Sequence, residues 1–442
     1  MRGSHRNESS RYTARMMLPK IAAVTLCLLW CNATPAQATA MAPHAATAKA
    51  AHATIAPAPA AAAAAATATT RPGPATATAD ATDAVAGLPS PPPVDARAYI
   101  VVDAASGTVL AERNADAHLE PASLTKLMTC YLVFNALKSG TLKPEELVTI
   151  SEHAWRAEGS RTFVQVGSQV PADTLIKGMI VQSGNDATIA LAERVGGTEG
   201  GFVQLMNENA QRLGMKDTHF DDSSGLPAAQ HYTSARDLSK LARALLRDFP
   251  DYYPLFSIRD FVWNNIRQEN RNGMLERDPS VDGMKTGHTD SAGFCLVTSA
   301  KRQDMRLITV VLGSMSIRAR EDASAALLNY GFTFYEAVTV KRGGTIVLKP
   351  RIFKSDEEYV GVAPASDIDI VVPRTQAATI ETAASVSRPL IAPLTRASVV
   401  GSLQIMVSGK PAASFPLFPM SDVPVGGAWT RLRDTVQLWW QK

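Results

Sequence analysis

The sequence predicts an α/β (α+β) domain with an antiparallel sheet flanked by helices, then a small all-β sandwich and a C-terminal amphipathic helix. Three observations predict it. Between residues 94 and 338, β-branched apolar runs stand at both ends with helical segments between them, so the two ends of this region close one sheet. From 339 to 426 the runs become short, alternating and bounded by turn residues. In 427–442 the tryptophans gather on one helical face.

The elements follow in order. Arg11, Arg15 and Lys20 precede an apolar run from Ile21 to Trp30, and Ala36-Gln37-Ala38 supplies small residues for cleavage. Residues 1–38 therefore read as a secretory signal peptide, with Met16 or Met17 as a more ordinary start. The run is too short to span a bilayer comfortably. Bulky Trp30 argues against lipidation of Cys31. Residues 39–93 are Ala, Thr and Pro with little else, a disordered linker that cannot bury a core.

Order is expected from about Ala96. Tyr99-Ile100-Val101-Val102 and Thr108-Val109-Leu110-Ala111 read as a β-hairpin. Residues 121–137 are helical and apolar all round, so this helix is buried, and Lys126 sits inside it. Helices are expected over 171–181, 186–195, 201–213 and 234–246. A second hairpin joins 294–299 to 307–312, and an alanine-rich helix covers 319–330. In the β domain, strands are expected at 345–348, 368–372 and 399–407. It carries no chemical constellation and reads as a spacer or docking module.

At about 100° per residue, Trp429, Leu432, Val436, Trp439 and Trp440 share one face of the last helix. Arg431, Asp434, Gln437, Gln441 and Lys442 fall elsewhere, and Arg433 flanks the apolar face. Such a helix reads as a peripheral anchor on a membrane surface, the alternative being that it packs back on the β domain.

Composition narrows the function. The 442 residues carry a formal net charge of +3, with 46% hydrophobic and 19% charged residues. This is too mild for a nucleic-acid partner. The eight histidines show no metal-ligand spacing, so no metal cofactor is expected. After cleavage two cysteines remain, Cys130 and Cys295, both in apolar runs. Buried free thiols are favoured over a disulfide, with a catalytic role behind both.

Three motifs carry chemistry: Ser123-Leu124-Thr125-Lys126, Ser183-Gly184-Asn185 and Lys285-Thr286-Gly287. Ser-x-x-Lys on a helix puts both side chains on one face. Serine needs an adjacent base to act as a nucleophile. A lysine desolvated in an apolar core gives up its proton easily. Ser183 precedes a helix, so its bland role is an N-cap. Its chemical role is a proton relay, with Asn185 binding Lys126 or a substrate amide. Lys285 and Thr286 can hold a carboxylate, and Gly287 permits close backbone approach. Each motif alone is weak, and the ordered set of three is strong.

The stretches Pro121-Ala122-Ser123-Leu124-Thr125-Lys126-Leu127-Met128-Thr129, Gln182-Ser183-Gly184-Asn185-Asp186-Ala187 and Asp282-Gly283-Met284-Lys285-Thr286-Gly287-His288-Thr289 resemble serine D-alanyl-D-alanine carboxypeptidases. These are the low-molecular-mass penicillin-binding proteins of the S11 peptidase family. The resemblance implies the penicillin-binding/β-lactamase-like fold. It implies that Ser123 attacks the penultimate D-alanine carbonyl of a peptidoglycan stem peptide ending in D-Ala-D-Ala, with Lys126 as base. Ser183, with Lys285, would protonate the leaving D-alanine. Lys285 and Thr286 would hold the terminal carboxylate, and the N–H groups of Ser123 and His288 would form the oxyanion hole. β-Lactams would acylate Ser123 as inhibitors. The enzyme would be periplasmic, peripheral on the outer face of the cytoplasmic membrane. Two rivals remain. One is a β-lactamase, disfavoured because no E-x-x-x-N or E-x-x-L-N segment lies between Asn185 and Lys285. The other is a non-catalytic peptidoglycan or β-lactam sensor, for which retention of Lys126 has no purpose.

Overall fold

Strand β1 (Ala98–Asp103) is buried along its whole length because helices cover both of its faces. Side chains alternate across a strand. Ala98, Ile100 and Val102 therefore enter one core with Leu127, Phe134 and Leu241. Tyr99 and Val101 enter a second core with Leu327 and Leu328. This computed structural model describes residues 88–440. The signal peptide and all of the linker up to residue 87 lie outside the described residues. The chain is already packed at Leu88, which leans on the second core, and the Tyr330 hydroxyl donates to the Pro89 carbonyl at 3.1 Å. Residues 88–93, expected as linker, are thus docked chain.

The expected hairpin is β1 with β2 (Val109–Arg113), antiparallel, Ile100 opposite Glu112. A 3₁₀ turn, Ala122–Thr125, leads into α1 (Lys126–Ser139), which stops at Gly140 in the left-handed conformation that glycine accepts freely. The expected helix over 171–181 is a short α-helix, Ala172–Lys177, continued by a π turn, Gly178–Gln182. Then come α2 (Asn185–Gly196), α3 (Glu199–Arg212) and α4 (Ala235–Asp248). Thr198 and Ser234 cap α3 and α4 by accepting from Gly201 and Asp237 N–H groups. Strands β3 (Val281–Thr289), β4 (Gly293–Arg302) and β5 (Met305–Ser314) complete the sheet, in the order β2-β1-β5-β4-β3. Ile100 faces Val310 across β1 and β5, so the two ends of the domain do close the sheet. Helix α5 (Ile317–Phe334) covers the second face.

The β domain starts at once with β6 (Tyr335–Lys341), paired antiparallel to β7 (Ile368–Pro373). Strands β8 (Ile380–Val386), β9 (Gly401–Val407) and β10 (Lys410–Pro419) form a sheet with the two-residue strand Val362–Ala363. Ile368, Ile370 and Val372 of β7 share one core with Leu403, Ile405 and Leu417 of that sheet. The apolar run at 345–348 is not a strand. It makes only the isolated bridge Leu348–Val362, because Gly343-Gly344 turns the chain before it and Pro350 offers no ladder N–H after it.

The final helix, α6 (Ala428–Trp440), lies on the β domain by its polar side. Asp434 is 1% exposed and accepts from the Lys354 N–H at 2.6 Å. Arg351 donates to Gln437 at 3.0 Å and Thr430 to Asp356 at 2.9 Å. Its apolar side is left outward, with Trp429, Trp439 and Trp440 each more than 70% exposed. No described helix is long and apolar enough to cross a membrane.

Candidate active site

The 3₁₀ turn sets Ser123 one turn ahead of Lys126, the first residue of α1. Lys126 is fully buried. Its Nζ donates to Ser123 Oγ at 3.0 Å, to Asn185 Oδ1 at 2.7 Å and to the Ser224 carbonyl at 2.6 Å. Three acceptors fix the amine within reach of the serine, yet none is a carboxylate. Burial therefore dominates its titration and lowers its pKa to about 7, with the Arg271 charge adding and Asp222 opposing.

Ser183 ends the π turn in the left-handed conformation, φ 66°. It is buried, and its Oγ has no hydrogen-bond partner among the described residues. It does not cap α2, whose N-cap position is Gly184. The bland reading of this serine thus fails, and its hydroxyl borders the cleft instead. Asn185 opens α2 and points two ways, accepting from Lys126 and donating Nδ2 to the Glu158 carbonyl at 2.6 Å. Its neighbour Asp186, fully buried, accepts N–H groups of Thr162 at 2.7 Å and Phe163 at 2.9 Å. It pins the segment bearing Gly159 and Ser160, which walls one side of the cleft.

The opposite wall is β3, the edge strand of the sheet. Thr286, Gly287 and His288 line the cleft, whose volume is about 580 Å³. Gly287 has a steric reason: a Cβ there would stand 2.9 Å from the Pro121 carbonyl, so only glycine lets β3 lie against the turn carrying Ser123. His288 is exposed, its ring 4.0 Å from that of Phe294. Lys285 lies behind the wall, 2% exposed, with Nζ donating to the Thr286 carbonyl at 3.0 Å. Burial, then the neighbouring charges of Lys126 and Arg271, hold its pKa well below the ordinary lysine value. Cys130 and Cys295 are free and buried, and burial pushes their thiols up to about 12 and about 11.

Several residues here gave no sequence signal. Arg271 and Arg320 line the cleft, and exposed Arg271 brings a surface cation that Lys285 cannot, while Arg320 is itself buried. Arg320 NH1 donates to the Gly287 carbonyl at 3.2 Å, bracing the β3 wall from α5. Asp222 Oδ1 accepts the Ser224 and Gly225 N–H groups, both at 2.6 Å, and so aims the Ser224 carbonyl at Lys126. Asp222 also faces buried His231 at 3.3 Å, whose other nitrogen meets Thr125 Oγ1 at 2.9 Å. A Cβ on Gly225 would fall 1.8 Å from the Ala122 carbonyl, so this loop is pressed onto the serine turn. Asp-Asp-Ser-Ser-Gly reads locally as any turn, and only its fold position gives it this task.

Comparison with known proteins agrees with this geometry. Residues 86–316 match the family model described as D-alanyl-D-alanine carboxypeptidase. Residues 335–425 match the C-terminal domain of penicillin-binding protein 5. The chain is similar to the D-alanyl-D-alanine carboxypeptidase DacA of Escherichia coli, 39% identical over 359 residues, spanning 79% of this chain and 89% of the relative. It is similar to DacC of the same organism, 42% identical over 355 residues, 78% and 89% covered. Among solved structures it resembles penicillin binding protein 5 from Haemophilus influenzae, with TM-score 0.72 and 38% identity, covering 76% of this chain and 100% of that one. The Ser123–Lys126 pair and the edge strand beside it lie inside the first matched region, and with the second match and the relatives they place the chain in one group: it belongs to the D-alanyl-D-alanine carboxypeptidase family of penicillin-binding proteins.

Proposed function

We propose that Ser123 is the nucleophile and Lys126 its base in the removal of the terminal D-alanine from peptidoglycan stem peptides. The chain is a serine-type D-Ala-D-Ala carboxypeptidase. The observation that carries the assignment is the 3.0 Å approach of Lys126 Nζ to Ser123 Oγ, in a setting that lowers the amine's pKa to about 7 so that a large share is neutral near that pH. In acylation Lys126 takes the Ser123 proton as Oγ bonds to the penultimate D-alanine carbonyl carbon. The developing oxyanion is met by backbone N–H groups of Ser123 and His288. Ser183 passes the proton to the leaving D-alanine nitrogen as the C–N bond breaks. Its unpartnered hydroxyl supports that role, because a buried donor without a partner is costly unless a substrate supplies one. Asn185 holds Lys126 in place. Thr286, with Arg271 at the surface and the buried cations Arg320 and Lys285 behind, receives the terminal carboxylate. Water then cleaves the ester and restores Ser123. β-Lactams acylate the same oxygen.

The substrate fixes the place of action outside the cytoplasmic membrane. The outward apolar face of α6 supports peripheral attachment to that membrane.

The test is intact mass after mixing with benzylpenicillin, run beside D-alanine release from a peptide ending in D-Ala-D-Ala. One adduct on the wild-type chain with D-alanine release, and neither with Ser123→Ala, is the expected result. An adduct that disappears rapidly without D-alanine release would instead identify a β-lactamase.

A further inference from the structure

We infer that the cleft between α6 and the β domain binds the phosphate headgroup of an anionic phospholipid, so the β domain contributes to membrane binding itself. This rests on the reading of α6 as a peripheral anchor and adds a second, chemically distinct contact.

The cleft has a volume of about 880 Å³. Four cations line it: Lys349, Arg351, Lys354 and Arg388. No acidic side chain lines it, and none of the four makes an ion pair among the described residues. Elsewhere on this chain exposed arginines are commonly paired, as Arg374 is with Glu336. Four unpaired cations converging on one concavity repel one another, and an anion relieves that repulsion. Arg351 is held ready: its guanidinium lies 5.0 Å over the Phe353 ring and donates to Gln437, while Nε is buried and without a partner.

The helix decides which anion. Thr430, Asp434, Gln437 and Leu438 form the stripe turned to the β domain, and Trp429, Leu432, Val436 and Trp440 the stripe turned outward. Thr435 and Trp439 stand between these stripes and line the cleft. The cationic pocket thus begins where the exposed apolar face ends. With that face among acyl chains, the four cations come level with the headgroups, where phosphates are and where tryptophan prefers to lie. A soluble phosphoester would fit the charge but would not explain exposed Trp439 on the rim, 74% accessible.

The experiment is co-sedimentation of the full chain with vesicles of phosphatidylcholine alone and of phosphatidylcholine with phosphatidylglycerol. Each cation at an anionic surface strengthens partition about five-fold. Lys349→Gln/Arg388→Gln, two exposed side chains remote from the catalytic cleft, should weaken binding to the anionic vesicles roughly twenty-five-fold. Binding to neutral vesicles and benzylpenicillin acylation should not change. Arg342→Gln/Lys410→Gln removes the same charge outside the cleft and should cost far less. Equal losses from the two pairs would overturn the site in favour of diffuse attraction. Unchanged vesicle binding by the cleft pair, with loss on deleting 428–442, would overturn the cleft and leave the helix anchor standing. No vesicle binding by the wild-type chain would overturn both. Binding of free inorganic phosphate that the cleft pair abolishes, with vesicle binding unaltered, would assign the pocket to a soluble anion instead.

Discussion

With Lys126 as the proposed base, its titration sets the expected pH dependence of acylation. The base form is the neutral amine, and burial brings its pKa from 10.5 to about 7. The active fraction therefore falls as pH falls through that value. Near pH 6 roughly a tenth of molecules are competent, and near pH 8 roughly nine-tenths. The second-order rate of benzylpenicillin acylation, followed by mass, should rise about ten-fold per pH unit below about 7 and level off above it. A lysine with an ordinary pKa would be neutral in only about 0.03% of molecules at pH 7. Its profile would keep climbing through pH 9, and that result would refute the tuned base. A rate independent of pH from about 5 upward would mean that another group takes the proton. Lys126→Arg keeps the charge but cannot deprotonate. It should lose about 10²–10⁴-fold in rate, the usual worth of a positioned base.

Two further outcomes follow from the site's packing. Ser183→Ala removes a buried hydroxyl with no described partner, so thermal melting should stay level or rise while D-alanine release falls by about 10²-fold or more. Gly287→Ala puts a Cβ 2.9 Å from the Pro121 carbonyl, so β3 must move off the Ser123 turn. Acylation should slow at least about ten-fold for a stability loss of about 1–3 kcal/mol, read from urea unfolding.

The sequence made the periodic parts legible. β1, α1 and the hairpin of β4 with β5 bury so many apolar residues that their pattern admits one answer. Ser123, Lys126, Ser183, Asn185, Thr286, Gly287 and His288 were readable as motifs, and the fold brings them to one cleft, with Lys285 just behind it. What could not be read is what depends on distant chain. The His231–Thr125 contact joins residues 106 positions apart, with Asp222 on the far side of the imidazole, and no local pattern encodes it. Arg320 sits in a helix whose other features are those of any sheet-covering helix. The final helix shows the same limit from the other side. Its amphipathic pattern was plain, and the pattern posed attachment to a membrane or to the β domain as alternatives. The structure satisfies docking through the polar stripe, which leaves the apolar stripe free, so the two are compatible.

The two buried lysines show what the site costs the fold. Lys126 and Lys285 are both sealed from water and neither has a carboxylate partner among the described residues. A cation buried without a counter-charge disfavours folding, and lowering its pKa limits that cost without removing it. A fold selected for stability alone would place a long apolar side chain at 285. Lys285→Met keeps the length, removes the desolvated amine and relieves repulsion with Lys126. It should raise stability by about 1–3 kcal/mol at neutral pH while D-alanine release collapses, the exchange expected where function holds a residue against stability. A lower melting temperature for Lys285→Met would mean that the bond from Nζ to the Thr286 carbonyl outweighs the desolvation, and that β3 needs the lysine to keep its shape.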